Sequence, residues 1–218
     1  MIKILLTAMM LTLPQVEVSG NAEEMVSSEY DIGAPILVEV KGGISDGMAN
    51  KFSEEMAKAL VSGQPIIIVE IDSYGGSVYA LMNMIDVMNK AKEKVAVVTV
   101  VLGKAMSAGA VLASCGTEGM RYISPSGTIM IHEVSNVTAG KVGDIEADAE
   151  ETTRLNTLLM KTISENIGKD SKYISSIIHS RGHSDWYITP DEAMKHGLVN
   201  HIGSPDYMVK IKVDLDIK

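Results

Sequence analysis

Val95-Ala96-Val97-Val98-Thr99-Val100-Val101-Leu102 runs directly into Gly103-Lys104-Ala105-Met106-Ser107-Ala108-Gly109-Ala110, and the reading of this junction decides the fold. In the first eight residues β-branched side chains follow one another without polar alternation, the pattern of a strand buried on both faces. From Ala110 to Cys115 the residues are small and apolar, with helical character. Ser107 therefore falls at a strand-to-helix junction, where the first N–H groups of a helix lack internal partners and carry partial positive charge. A hydroxyl there acts as a helix cap or as a nucleophile. Serine is a preferred N-cap, and the stretch taken alone favours the cap.

The segments upstream repeat the alternation. Pro35–Val40 reads as a short apolar strand ended by Lys41-Gly42-Gly43. Ser45 or Asp46 caps a helix with Met48, Phe52, Met56 and Leu60 on one face, closed by Gly63. Ile66–Ile71 is a second buried strand, leading through Asp72-Ser73-Tyr74-Gly75-Gly76-Ser77 into an amphipathic helix marked by Val78, Leu81, Met82, Ile85 and Met88. Strands that alternate with helices and are apolar throughout predict a mainly parallel sheet covered by helices. Downstream, Met120–Ile123 and Thr128–Ile131 read as two strands joined by a Pro125-Ser126-Gly127 turn. A long helix is expected over 144–167, with Leu155, Leu158, Leu159, Thr162 and Ile163 on one face and Gly168 as its stop. Tyr173–Ile178 continues as a short helix. Thr189-Pro190-Asp191-Glu192 combines a capping box with proline at the first helical position, and Gly197 ends that helix.

Composition narrows the class. A chain of 218 residues, 46% hydrophobic and 22% charged, suits one soluble globular domain. Aromatics are 4% against 15 methionines, so aliphatic and methionine side chains must fill the core. A net charge of −9 argues against nucleic acid, which needs clustered Lys and Arg. The single cysteine, Cys115, excludes an internal disulfide, suits a reducing compartment and reads as a buried structural thiol. At the N-terminus, Ile4–Leu13 behind Lys3 looks like a short signal-peptide core, with Val18-Ser19-Gly20 as a weak cleavage site, yet the run is too short to span a bilayer. Residues 1–30 are read as a variable arm or processed pro-segment, and the protein as cytoplasmic with no membrane partner.

Several residue types could carry chemistry. Gly75-Gly76 lies where a buried strand turns into a helix, and ligand sites in open parallel sheets sit at the carboxyl ends of strands. Glycines there let a substrate approach the backbone and point an N–H at it, or merely serve a tight turn. Neither a G-x-G-x-x-G fingerprint nor a G-x-x-x-x-G-K-[S/T] loop is present, so no nucleotide cofactor is expected. His132 ends an apolar strand, where histidines are more often structural than catalytic. His179 and His183, four apart and near Asp185, have a spacing that suits a metal only on a continuous helix; Gly182 interrupts it, and no metal is expected.

The order of these motifs carries more than any one of them. Gly75-Gly76, then Ala105-Met106-Ser107-Ala108-Gly109-Ala110, then Ile129-Met130-Ile131-His132, then Asp185 with Pro190-Asp191-Glu192-Ala193 and His196-Gly197-Leu198-Val199, closely resembles the ClpP family of self-compartmentalised serine peptidases. The likeness runs from about Pro35 to Ile202. It includes Asp46-Gly47-Met48-Ala49-Asn50 and Gly143-Asp144-Ile145-Glu146.

The resemblance implies an α/β, ClpP/crotonase-like fold: a mainly parallel sheet with flanking helices and a protruding handle helix over about 144–167, within a peptidase domain spanning 31–218. It implies a Ser107 nucleophile, a His132 base, Asp185 as the orienting acid, and an oxyanion hole from the backbone N–H groups of Gly76 and Ala108. It further implies two stacked heptameric rings enclosing the sites, unfolded polypeptide substrates and an AAA+ Clp ATPase partner. The handle would then make the ring-to-ring contact with a face including Leu155, Leu158 and Leu159; an ordinary core-facing helix has the same periodicity. Tyr74 stands where the family commonly has proline and Ala108 where it has methionine, which alters the pocket wall but leaves the backbone donors. The segment before Asp185 is longer than usual, leaving Asp170 and Asp191 as alternative acids. Residues 1–30 do not resemble the segment that meets the ATPase. Two other readings use the same residues differently: a crotonase-fold acyl-CoA enzyme and a non-catalytic ring subunit.

Overall fold

The computed structural model describes residues 35–206 and two short strands near the chain ends, β1 (Lys3–Ile4) and β9 (Leu215–Asp216). These two pair antiparallel, Lys3 opposite Asp216, in a unit separate from the body formed by Pro35–Pro205. The N-terminal arm expected over residues 1–30 lies, but for Lys3–Ile4, outside the described residues.

In the body, β2 (Ile36–Ile44), α1 (Asp46–Val61), β3 (Ile66–Gly76), α2 (Val78–Lys92), β4 (Ala96–Met106) and α3 (Ala108–Ser114) follow in strict alternation, with β2–β3 and β3–β4 parallel. Next come β5 (Arg121–Ile123), β6 (Thr128–Ile131), α4 (Val142–Asn166), α5 (Tyr173–Ser180), β7 (Trp186–Ile188), α6 (Pro190–His196) and β8 (His201–Ile202). The sheet is ordered β2-β3-β4-β5-β8, and β4 forks. Its first half, Thr99–Val101, pairs with β5, while its second half, Lys104–Met106, pairs with β6. Within this sheet, among the described residues, only β7 runs antiparallel, on β6. This is the mainly parallel α/β sheet with flanking helices that the alternation predicts.

Three strands run further than their apolar content indicates, and β4 does so by continuing past Leu102 to Met106, where it pairs with β6. β2 continues through Lys41-Gly42-Gly43 to Ile44, absorbing the glycines in a register shift between Gly42 and Gly43. β3 continues past Ile71 to Gly76, because its polar residues keep their ladder partners on β2.

One sheet face, with Val38, Val40, Ile67, Val69, Ile71, Val97 and Val101, packs into a single core with the helices. Ile68, Val98 and Val100 form a smaller cluster on the opposite face with Met120 and Tyr122. Ser45 is the cap of α1, its Oγ accepting from the Met48 N–H at 3.3 Å. Thr189 and Glu192 form the expected capping box of α6, and Gly197 ends it at φ 79°. Arg121 is buried, donating to the carbonyl of Asn166 at the end of α4 and to that of Gly197 just past α6.

α4 divides between core and solvent. Leu155 and Leu159 are buried within the chain, and Leu159, Met160 and Ile163 belong to its core, as on a core-facing helix, while Leu158 of the same face stays half-buried. Residues 141–150 at the other end of α4 are all exposed, Val142 and Ile145 among them. That half is rich in acidic and small residues, and its two large apolar side chains, Val142 and Ile145, stay exposed rather than packing on the body.

Phe52, the one phenylalanine, is fully buried on α1. Phe52→Ala is expected to lower unfolding free energy by about 3–5 kcal/mol, read from urea denaturation with an unchanged m-value. His196 Nδ1 lies 2.8 Å from the Tyr173 hydroxyl, and the ring meets Trp186 edge to face. Burial, followed by the neighbouring Lys195 charge, lowers its pKa. The folded state then binds fewer protons than the unfolded one, so acidification through the ordinary histidine range costs stability. The stability difference between wild type and His196→Gln should accordingly narrow as pH falls from about 8 to about 5.

Candidate active site

The fork in β4 brings two strand ends together. Met106 stands opposite Met130 in a parallel pair, so the residues that follow, Ser107 after β4 and His132 after β6, leave the sheet on the same edge. The Ser107 N–H donates to the Met130 carbonyl at 2.8 Å, and the Ser107 carbonyl accepts from the N–H groups of Ala110 (2.9 Å) and Val111 (3.3 Å) at the start of α3. The backbone is pinned from both sides in a conformation that non-glycine residues seldom adopt, φ 56° and ψ −122°.

Pinned there, the Ser107 side chain makes no capping bond to α3. Its Oγ lies instead 2.8 Å from His132 Nε2. The cap favoured by the local sequence is therefore not formed; Ala108 opens the helix with its N–H beyond reach of any intrahelical carbonyl.

The glycine pair is fitted against this serine. Gly75 has φ +86°, and a Cβ on it would stand 2.6 Å from the Met106 carbonyl oxygen and 2.7 Å from Ser107 Cβ. Gly76 has φ +147°, and a Cβ there would collide with the Ile44 carbonyl. Both positions demand glycine for conformation and for space. Ser73, which sequence reasoning passed over, holds the turn: its buried hydroxyl donates to the Gly42 carbonyl at 2.7 Å and accepts from the Gly75 N–H at 3.1 Å. A hydroxyl two residues before a glycine pair was the available signal.

Gly76, Ser107, Ala108 and His132 line one cleft of about 60 Å³, whose remaining wall includes the apolar side chains of Val78, Val111, Ile131, Leu159, Met160 and Ile163. Asp185 is placed differently. β6 and β7 pair Ile131 with Trp186, and one further step in that antiparallel register sets His132 beside Asp185. The Asp185 side chain is nevertheless exposed, and no hydrogen bond or ion pair joins it to His132 among the described residues. Asp170 is engaged locally, accepting from the Lys172 N–H at 2.9 Å, and Asp191 lies in the first turn of α6. The structure thus joins the serine and the histidine directly, and no hydrogen bond or ion pair links any of the three candidate acids to the ring among the described residues.

His179 and His183 are brought together despite Gly182. α5 ends at Ser180, and the turn after it folds His183 back so that the two imidazoles meet edge to face, centroids 4.6 Å apart. Asp185 is not their companion; Glu133 is, its Oε2 2.9 Å from His183 Nδ1. Burial raises the Cys115 thiol pKa, consistent with a structural role. Among the described residues, no helix is long and apolar enough to cross a membrane.

The sheet, its flanking helices and this strand-edge cleft define the ClpP/crotonase-like class of α/β folds. Within that class, a family model described as Clp protease matches residues 21–206, and the chain belongs to the Clp protease family, a ClpP-type peptidase.

Gly75→Ala is expected to displace Ser107 from His132 and cut peptide hydrolysis by at least about 100-fold, since the new methyl and the 2.7 Å contact cannot coexist. Gly63→Ala, remote from Ser107 though also at positive φ, should leave turnover near wild type, as measured with a fluorogenic peptide.

Proposed function

We propose that this chain is a serine endopeptidase with Ser107 as nucleophile, His132 as general base and Asp185 as the carboxylate that orients the imidazole. The observation that carries the reading is the 2.8 Å bond between Ser107 Oγ and His132 Nε2, made by a serine at a helix start that does not cap its helix. A neutral hydroxyl is a weak nucleophile until a base takes its proton.

In this mechanism His132 Nε2 accepts the proton as Oγ attacks the scissile carbonyl carbon. Negative charge gathers on the carbonyl oxygen between the N–H groups of Gly76 and Ala108, where each such donor contributes about 3–4 kcal/mol. His132 then passes the proton to the leaving amine nitrogen, whose bond to carbon breaks, leaving an ester on Ser107. Water, deprotonated by the same imidazole, hydrolyses that ester and restores the hydroxyl. The apolar side of the cleft suits an aliphatic side chain next to the scissile bond. Asp185 is supported as the acid by the β6–β7 register, in which Ile131 pairs with Trp186, so that His132 and Asp185 are the next residues on the two strands.

The family further supports unfolded polypeptides as substrates, cleaved in the cytoplasm inside stacked heptameric rings fed by an AAA+ Clp ATPase. The chain has no nucleotide-binding loop of its own, so ATP dependence would rest with that partner. Since Leu155 and Leu159 are buried within the chain, contact between rings would draw mainly on the exposed half around Val142 and Ile145. An acyl-CoA enzyme would use the same oxyanion donors without needing the Ser107–His132 pair. A non-catalytic ring subunit would not need the strained serine.

A fluorophosphonate probe is expected to label the wild type, fail on Ser107→Ala and label His132→Ala poorly. A folded wild type that stays unlabelled would sink the reading. Asp185→Asn should fold normally and slow turnover by about 10²–10⁴, with Asp170→Asn and Asp191→Asn near wild type. The reverse pattern would move the acid. Sedimentation should show about fourteen chains per particle, and a monomer at working concentration would remove the chamber.

A further inference from the structure

Three side chains beside the proposed site converge from three places in the chain. Glu133 leaves β6 directly after His132, His179 lies in the last turn of α5, and His183 lies in the turn before β7. One donor atom from each lies within 4.8 Å of the other two. The backbone holds them there: the Gly182 N–H donates to the His179 carbonyl and the His183 N–H to the Ile178 carbonyl, both at 3.0 Å. His183 takes φ +62°, a conformation sparsely populated outside glycine, so its imidazole is directed at Glu133 against the backbone's preference. His179 has no hydrogen-bond partner among the described residues and meets only the ring of His183.

Two imidazoles and one carboxylate, all solvent-accessible, form the donor set of a three-ligand zinc site with an open fourth position. Tetrahedral bonds of about 2.0–2.1 Å set neighbouring donors about 3.3 Å apart, closer than the 4.8 Å within which these donor atoms lie. No other described residues of these types cluster in this way.

We propose that Glu133, His179 and His183 bind Zn2+, with water in the fourth position. Resting on the peptidase reading, the ion would tie the turn carrying Asp185 to the residue next to His132, making the three ligands positioning residues for the carboxylate. With the full-length protein stripped by chelator, Zn2+ titration should show one ion per chain with a Kd of about micromolar or tighter, and Co2+ should give the visible absorption of a tetrahedral site. His179→Gln, His183→Gln and Glu133→Gln should each weaken binding by at least about 10-fold. No binding, or binding untouched by the two histidine variants, overturns the site. Ser107→Ala should bind Zn2+ as the wild type does, so loss of hydrolysis and loss of metal read out separately. In the wild type Zn2+ should raise kcat with little change in KM, and His183→Gln should not respond. Binding without that response overturns the positioning role and leaves a purely structural ion.

Discussion

Everything at the sheet edge depends on one strand having two different neighbours. β4 gives its first half to β5 and its second half to β6, and the bond from the Ser107 N–H to the Met130 carbonyl closes the second pairing at its last rung. Parallel pairing makes two chain segments leave the sheet side by side, a geometry that a hairpin cannot give. Without the fork, β6 and His132 would have no place beside Ser107. With it, the serine and histidine meet without help from any loop. The strained conformation at Ser107 is the local cost, of the order of 1–3 kcal/mol, and it persists because bonds on both sides over-determine it.

The sequence pattern made the strands and helices legible because runs such as Val95–Leu102 and Ile66–Ile71 are buried on both faces, and burial is what apolar periodicity records. It stopped β2, β3 and β4 too early, since their last residues stay in the ladder by backbone pairing rather than by an apolar run. The fork was invisible for the same reason: pairing partners are a property of backbone register, not of side-chain type. At Ser107 local propensity pointed to a cap and tertiary structure overrode it, since only the distant Met130 carbonyl and Gly75 fix where the hydroxyl points. The meeting of His179 with His183 was likewise missed, because the rule for helical spacing takes no account of a turn that folds the chain back.

α4 shows how one periodicity serves two ends. Of a stripe that reads as continuous from Leu155 to Ile163, Leu155, Leu159 and Ile163 are buried and Leu158 is half-buried, while the acidic stretch before it is exposed. Tyr79 and Arg154 both bond Glu151 near the point where the helix leaves the body, and with Arg154 the larger influence they hold that carboxyl at a pKa of about 2. Membership of the Clp protease family sets these features in a peptidase frame. The cleft, with its glycine pair and its bonded serine and histidine, is where that frame meets this particular chain.

Arg121 gives the projecting helix its footing. A guanidinium cannot shed its charge at any ordinary pH, and here it is enclosed while bridging the carbonyl ends of two helices at once. Swinging α4 about its root would strip that cation of its Asn166 acceptor, leaving only the Gly197 carbonyl, at a cost of about 1–3 kcal/mol. A push on the free tip is therefore borne by bending along the exposed turns rather than by pivoting at the base. The protein carries its longest lever on a hinge that has been locked.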